Sequence, residues 1–211
     1  MASSPDRGVN VPSDQPRPTA RVALIAPEIA GNTGNIIRLC ANTGAELHLV
    51  EPLGFELSDT RMKRAGLDYH ERTSVHVHRD FEAMLSALGN PSFAAFTARG
   101  TTRYDALHPA SADLLVFGCE ASGLPDKVLS HPRCVATVTL PMMPGNRSLN
   151  LANTVAIAVF DRWRQLGFHR ATAMNQDPTT GGRTAPLAIE DLSLAPPIGE
   201  SATWEQPAVQ Q

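Results

Sequence analysis

The sequence predicts an α/β fold with a mostly parallel sheet and helices on both of its faces. Two observations indicate this class of fold. Short apolar, β-branched runs alternate along the chain with segments whose apolar residues recur at helical spacing. Glycine, proline or asparagine residues separate these runs, as they do at turns between strands and helices. With 211 residues, 42% of them hydrophobic, the chain is long enough for one such domain with its own core.

The first strand–helix–strand unit occupies residues 21–50. Residues 21–27 (RVALIAP) and 45–50 (AELHLV) are predicted strands, and the helix between them contains IIRLCAN. We expect Asn32 or Thr33 to cap this helix at its start and Gly44 to end it. The spacing suits two parallel strands joined by a crossover helix.

The remaining elements continue the alternation. Further strands are predicted at residues 75–78, 93–97, 112–117 and 134–141. Helical segments are predicted at 81–88, where Asp80 is the expected N-cap, and at 126–131. The last helix is predicted at 149–166, with Gly167 as its C-cap. On the simplest interpretation Ser148 caps the start of this helix and Asn150 is a hydrogen-bonding loop residue.

The two ends of the chain differ from its middle. Residues 1–20 and 171–211 hold 9 of the 17 prolines and show no sustained periodicity, so we expect two largely disordered tails around a domain at 21–170. The first tail lacks the apolar stretch of a signal peptide, and no apolar run is long enough to cross a membrane. Three widely spaced cysteines are expected to be free, buried thiols, which favours a cytoplasmic protein.

Charge is distributed unevenly along the chain. The net charge is −3, but residues 185–211 carry four acidic and no basic residues, so the rest is close to neutral. Any RNA-binding surface must therefore be a local patch. Arg61, Lys63 and Arg64 form one basic cluster, which is either a solvated surface or an RNA-backbone contact. The three histidines between residues 70 and 78 have no carboxylate or cysteine at ligand spacing, so no metal site is expected.

Parallel sheets bind ligands at the loops beyond the carboxyl ends of their strands. Three loops have the polar, glycine-containing composition of such sites: residues 27–35, 118–125 and 141–150. None contains the G-x-G-x-x-G fingerprint of dinucleotide-binding folds, the phosphate-binding P-loop or the G-x-S-x-G elbow of hydrolases. Each loop taken alone is therefore a weak indication of function.

Taken together, the loops resemble a known family. The matching stretches are PEIAGNTGNIIRLCANTGAELHLVEPLGF (27–55), RAGLDYHE (64–71), LLVFGCEASGLP (114–125) and LPMMPGNRSLNLANTVAIAVFDRWRQLGF (140–168). They resemble the SPOUT class of S-adenosylmethionine (AdoMet)-dependent RNA methyltransferases, and within it the TrmL-type tRNA 2′-O-methyltransferases. The resemblance covers residues 21–170, which is nearly the whole predicted domain.

The resemblance implies a fold with a C-terminal trefoil knot, which no pattern of residues would indicate because knots are nearly absent from proteins. It also implies a homodimer and methyl transfer from AdoMet to the ribose 2′-hydroxyl of the tRNA wobble nucleotide, a cytidine or modified uridine at position 34. No metal is needed, since the leaving group is a neutral thioether. The alternatives are 2′-O-methylation of another tRNA position or of rRNA. A further alternative, of a different class, is an RNA-binding protein without catalytic activity.

The resemblance also assigns roles to single residues on the RNA side. Arg38 matches the arginine of the first motif, either as a base or, because arginine is rarely deprotonated, as the group that orients RNA and stabilises charge. Asn35 matches an asparagine that holds the acceptor. Glu120 matches the glutamate of the second motif, which orders the loops; its alternative is a loop-capping carboxylate. Arg147 is expected to contact RNA.

On the cofactor side, the resemblance points to small and backbone-contacting residues. These are Phe96 or Thr97 at a strand end, Gly118, Gly123, Leu140, Ser148 and Asn150, although Phe96 is otherwise an ordinary core residue. Three positions depart from the TrmL pattern. Ser122 stands where many relatives have arginine, Phe160 where they have tyrosine, and Asn146 where serine is common. These departures bear on the RNA target more than on AdoMet.

Overall fold

The computed structural model describes residues 18–56, 75–146 and 148–171. Within these residues, seven strands form one sheet in the order β3-β2-β1-β6-β4-β7-β5, and every pairing is parallel. The strands are β1 (Arg21–Ile25), β2 (Glu46–Val50), β3 (Val75–His78), β4 (Phe93–Phe96), β5 (Thr102–Arg103), β6 (Leu114–Phe117) and β7 (Cys134–Thr139). The predicted parallel α/β fold is confirmed.

Helices cover both faces of the sheet because side chains alternate along the central strands. In β1, Val22 and Leu24 join the apolar cluster that contains helices α1 (Ala30–Thr43) and α4 (Leu151–Gln165). The alternate residues Ala23 and Ile25 join a second cluster with α2 (Phe81–Ala87) and the short α3 (Asp126–Leu129). The chain divides into two units, Met1–His169 and Arg170–Gln211, and all of these elements belong to the first.

The helix ends differ in part from the predictions. Gly44 ends α1 in the left-handed region (φ 71°), and Asp80 caps α2, both as predicted. The predicted caps of α1 are wrong, because the helix begins at Ala30 and its N-cap residue Ile29 offers no side-chain hydrogen bond. The predicted cap of α4 is also wrong. Asn150 rather than Ser148 accepts from the first backbone N–H groups of that helix.

Other differences lie at strand ends and in one missed strand. Five strands end or begin one or two residues inside the predicted limits, as is usual where the ladder hydrogen bonds stop. The edge strand β5 was not predicted because its two residues, Thr102 and Arg103, form no apolar pattern. The three cysteines are free thiols as expected, but only Cys40 is buried, and Cys119 and Cys134 are partly exposed. In the part of the chain that the structure describes, no helix has the length and apolarity needed to span a membrane.

A polar cluster lies where β2 and β3 meet, away from the loops. The Glu46 carboxylate accepts from Arg21 at 3.0 Å and lies 3.2 Å from Nε2 of His76. His48 is 2% exposed, and its Nδ1 lies 3.0 Å from Nε2 of His78. The pKa of Glu46 is lowered to about 2, first by its interaction with His48 and then by Arg21. This cluster ties an edge strand of the sheet to its centre.

Candidate functional site

A cavity of about 530 Å³ lies at the carboxyl edge of the central strands. Its walls are the loops that follow β1, β4, β6 and β7, together with the start of α4. This is the edge at which parallel sheets bind ligands, and the volume is in the range of small-molecule sites. Three of its walls contain the three loops that the sequence singled out.

One chain of hydrogen bonds joins these three loops. Glu120, after β6, accepts from the backbone N–H of Glu28 at 2.8 Å and from Nδ2 of Asn32 at 2.8 Å. Asn32 in turn accepts from Nδ2 of Asn150 at 2.9 Å. Asn150 uses its own oxygen to accept from the N–H groups of Ala152 and Asn153, which starts α4. Residues that are up to 118 positions apart in the chain therefore hold one another in place.

The position of Asn32 explains how this network can exist at a helix start. Asn32 lies in the first turn of α1 and is only 7% exposed, so an amide without partners would be costly there. The Glu120 carboxylate supplies one partner and is also placed near the positive end of the α1 dipole. Residue Asn32 was considered only as a helix cap from the sequence. The clustering of asparagines in GNTGN was the available signal for a binding role.

The loop after β6 is closed tightly on itself. A Cβ atom on Gly118 would lie 2.1 Å from the carbonyl carbon of Gly123, so only glycine fits there. Gly123 has φ 70° and donates its N–H to the carbonyl of Cys119 at 3.0 Å. The thiol of Cys119 also lies 3.0 Å from the Ser122 hydroxyl. The loop is thus a small rigid turn that places Glu120 at the cavity wall.

Aromatic and aliphatic side chains form the interior of the cavity. The rings of Phe96 and Phe117 are stacked with their centroids 4.6 Å apart. Leu140 and Val138 on the β7 side are also buried. Phe96 belongs to the apolar core and also lines the cavity. Its two predicted positions, in the core and at the candidate cofactor site, are therefore compatible. A flat apolar ligand group fits such a surface, while the polar network lies at its edge.

The structure gathers most of the sequence-predicted residues around this cavity. Its lining contains Phe96, Thr97, Gly118, Gly123, Leu140, Ser148, Asn150 and Glu120. Asn35 and Arg38 do not line it; both are exposed on α1, one and two turns beyond Asn32. Arg61, Lys63, Arg64 and Arg147 lie outside the described residues. Among the residues that are described, no group of three or more potential ligands is arranged to hold a metal ion.

Comparison with known proteins adds evidence on the family. Residues 19–160 match the SpoU rRNA Methylase family. The chain is 56% identical over 149 residues to a tRNA (cytidine(34)-2′-O)-methyltransferase of Burkholderia cenocepacia (strain HI2424), covering 70% of this chain and 96% of the relative. It is also similar to a solved structure described as giving insights into the 2-OH methylation of C/U34 on tRNA, with a TM-score of 0.66, 40% identity and coverage of 71% and 97%.

A more distant solved structure shares the fold alone. It is the SpoU methyltransferase AviRb from Streptomyces viridochromogenes in complex with AdoMet, with a TM-score of 0.64, 22% identity and coverage of 72% of this chain and 62% of the other. The sheet described above is thus that of the SPOUT class, and the expected trefoil knot follows from this fold. By the match over residues 19–160 and by its identity to curated relatives, the chain belongs to the SpoU rRNA methylase family and is a methyltransferase.

Proposed function

We propose that the chain transfers a methyl group from AdoMet to the ribose 2′-hydroxyl of the wobble nucleotide, position 34, of a cytoplasmic tRNA. The observation that carries the proposal is the convergence of Glu120, Asn32 and Asn150 on one cavity at the carboxyl edge of the sheet. The choice of tRNA and of position 34 rests on the names of relatives that the chain matches over nearly their full length.

The residues of the cavity fit AdoMet as the donor. The stacked Phe96 and Phe117 and the buried Leu140 offer an apolar surface for a flat adenine. Gly123 and Ser148 line the wall, and their small size lets a ligand approach the chain closely there. A carboxylate, Glu120, lies at the same wall and suits a ligand that carries positive charge. When bound, AdoMet supplies a methyl group activated by its sulfonium.

The polar side chains of α1 suit an incoming ribose. Asn32, Asn35 and Arg38 follow one another at three-residue intervals, so neighbouring side chains are about 5–6 Å apart on the helix surface. The series begins in the cavity wall at Asn32 and ends in solvent at Arg38. We infer that Asn35 holds the acceptor nucleotide and that Arg38 orients it and stabilises the charge that develops as the hydroxyl loses its proton.

We also infer that the protein acts as a homodimer. The side of α4 that faces away from the sheet carries Ile157 and Phe160, which are 37% and 46% exposed, and Leu166 follows at 43%. Phe160 packs against the ring of Trp163, with the centroids 5.9 Å apart. An exposed apolar strip of this kind, on a helix whose first turn lines a binding cavity, is typical of a surface that a second subunit covers.

The decisive experiment measures methyl transfer from labelled AdoMet to unmodified total tRNA, followed by mass-spectrometric mapping of the product. We expect one 2′-O-methylated nucleotide at position 34. Arg38→Ala should lower kcat by about 10²–10³-fold and leave AdoMet binding intact. Arg133→Ala, an exposed arginine at the opposite end of β7, is the matched control. Methylation at another position or only of rRNA would replace the substrate in the proposal, and binding of tRNA without transfer would end it.

A further inference from the structure

One basic side chain at the cavity is not used by the proposed function. Among the described residues that line the cavity, Arg99 is the one with a positively charged side chain, and Glu120 is the one with a carboxylate. Arg99 comes from the loop after β4, and Glu120 comes from the loop after β6. The charges therefore lie on different walls, and they are suited to different ligand groups.

The backbone that carries Arg99 is held firmly. Thr97 donates its N–H to the Val138 carbonyl at 2.8 Å, and Gly100 donates to the Thr97 carbonyl at 3.0 Å. A Cβ atom on Gly100 would lie 2.4 Å from the carbonyl carbon of Val138, so the turn packs directly on β7. The base of the Arg99 side chain is thus fixed relative to the cavity.

The guanidinium end of Arg99 has only a weak attachment. Its side chain is 80% exposed, and its Nη2 lies 3.9 Å from a carboxylate oxygen of Asp126, which is itself 95% exposed. Exposed ion pairs at this distance contribute little to stability. The guanidinium can therefore exchange this partner for a better anion, and its planar fork matches the oxygens of a phosphate.

We propose that Arg99 binds a phosphate of the tRNA backbone next to the ribose that is methylated. This inference rests on the proposed function, because it requires an RNA strand at the cavity mouth. A 2′-hydroxyl and the 3′ phosphate of its nucleotide are attached to neighbouring ribose carbons. A strand that presents the hydroxyl to the cavity therefore brings a phosphate to its rim. The carboxylate of AdoMet is the competing anion. The Arg99 side chain is 80% exposed, which favours a ligand that stays at the solvent-facing rim over one enclosed in the cavity.

Binding of unmodified total tRNA to the full chain, measured over a series of KCl concentrations with S-adenosylhomocysteine present, tests the proposal. Arg99→Ala should weaken tRNA binding about tenfold, since a charge-assisted contact is lost. It should also make the slope of log K against log salt shallower by about 0.7–0.9, the value for one phosphate. Arg99→Lys should keep the slope and lose part of the affinity. The affinity for S-adenosylhomocysteine should not change.

The controls separate the possible results. Arg133→Ala removes an equal charge at the far end of the sheet, and it should leave tRNA affinity and slope as in the unaltered chain. An Arg99→Ala variant that matches Arg133→Ala would overturn the inference. So would an Arg99→Ala variant that binds S-adenosylhomocysteine weakly but 5′-methylthioadenosine, which lacks the amino-acid part, normally. An unaltered chain without affinity for tRNA would instead refute the proposed function itself.

Discussion

Replacing Asn32 with alanine tests the network that joins the three loops. The change removes the donor to Glu120 and the acceptor for Asn150, which lie 2.8 Å and 2.9 Å from the Asn32 amide. A hydrogen bond to a charged group contributes about 1.5–3 kcal/mol and a neutral one about 0.5–1.5 kcal/mol. Water that enters the cavity can replace part of the two lost hydrogen bonds. We therefore expect the free energy of unfolding to fall by about 2 kcal/mol, less than the largest sum of the two contributions.

Thermal unfolding and ligand binding measure this effect. A loss of about 2 kcal/mol corresponds to a Tm lower by about 4–8 °C in a domain of this size. The affinity for S-adenosylhomocysteine should fall as well, since the walls of the cavity are no longer tied together. Asn42→Ala, an exposed asparagine near the end of the same helix, is the matched control and should change neither quantity. Equal Tm values and affinities for the two variants would refute the role of Asn32.

The isosteric variant Asn32→Asp distinguishes hydrogen bonding from simple packing. It places a second carboxylate within hydrogen-bonding distance of Glu120, so one of the two must hold a proton. The pKa of that group is then raised in the folded state above its unfolded value. The variant should therefore be most stable at pH values below the pKa that the group has in the unfolded state. It should lose this stability as the pH rises through the pKa that the group has in the folded state. A stability profile of Asn32→Asp parallel to that of the unaltered chain from about pH 4, the ordinary carboxyl pKa, to about pH 8 would contradict this.

Three further results are expected. Glu46→Gln should reduce the free energy of unfolding by about 1–2 kcal/mol at pH 7, allowing for solvent screening. The Glu46 pKa is lowered to about 2 in the folded state, so this difference should shrink from about pH 4.5 downward and disappear as the pH passes 2 in acid titrations monitored by circular dichroism. Gly118→Ala should abolish S-adenosylhomocysteine binding in calorimetry, because the new methyl group overlaps Gly123. Gly31→Ala should bind normally, because its added carbon has no atom within 4 Å beyond its chain neighbours and the backbone of its own helix. Phe160→Asp should produce a folded monomer in light scattering coupled to gel filtration, and an unchanged molar mass would place the subunit interface elsewhere.

The sequence predicted those parts of the fold in which a local residue pattern has a single physical cause. Alternation of β-branched runs with helical segments predicted the parallel sheet, because buried parallel strands are apolar on both faces. The left-handed Gly44 and the Asp80 cap were predictable for the same reason, since few residues suit those positions. The residues around the cavity were found through family resemblance, and the structure shows that most of them do lie together.

Other features depend on partners far away in the chain. From the residues alone, Asn32 was expected to cap a helix and Asn150 to be a hydrogen-bonding loop residue, and the resemblance added Asn150 to the cofactor side. In the structure the Asn32 amide instead bonds both Glu120 and Asn150, and Asn150 adds this distant bond to its local capping of α4. A cap is a contact within a few residues, and it can be read from the sequence. A hydrogen bond between residues from the first and last helices depends on how those helices pack. The short β5 was missed for a related reason, since its pairing with β7 alone defines it.

The bond between Asn32 and Asn150 also bears on the order of events during synthesis. Its two residues are 118 positions apart, and the later one starts the last helix of the sheet domain. A growing chain can pair β1 with β2 early, but it cannot build a complete cavity wall until α4 has emerged from the ribosome and docked. Affinity for a ligand of the cavity therefore arises only when α4 has docked. A bound ligand then stabilises the chains in which this docking is complete.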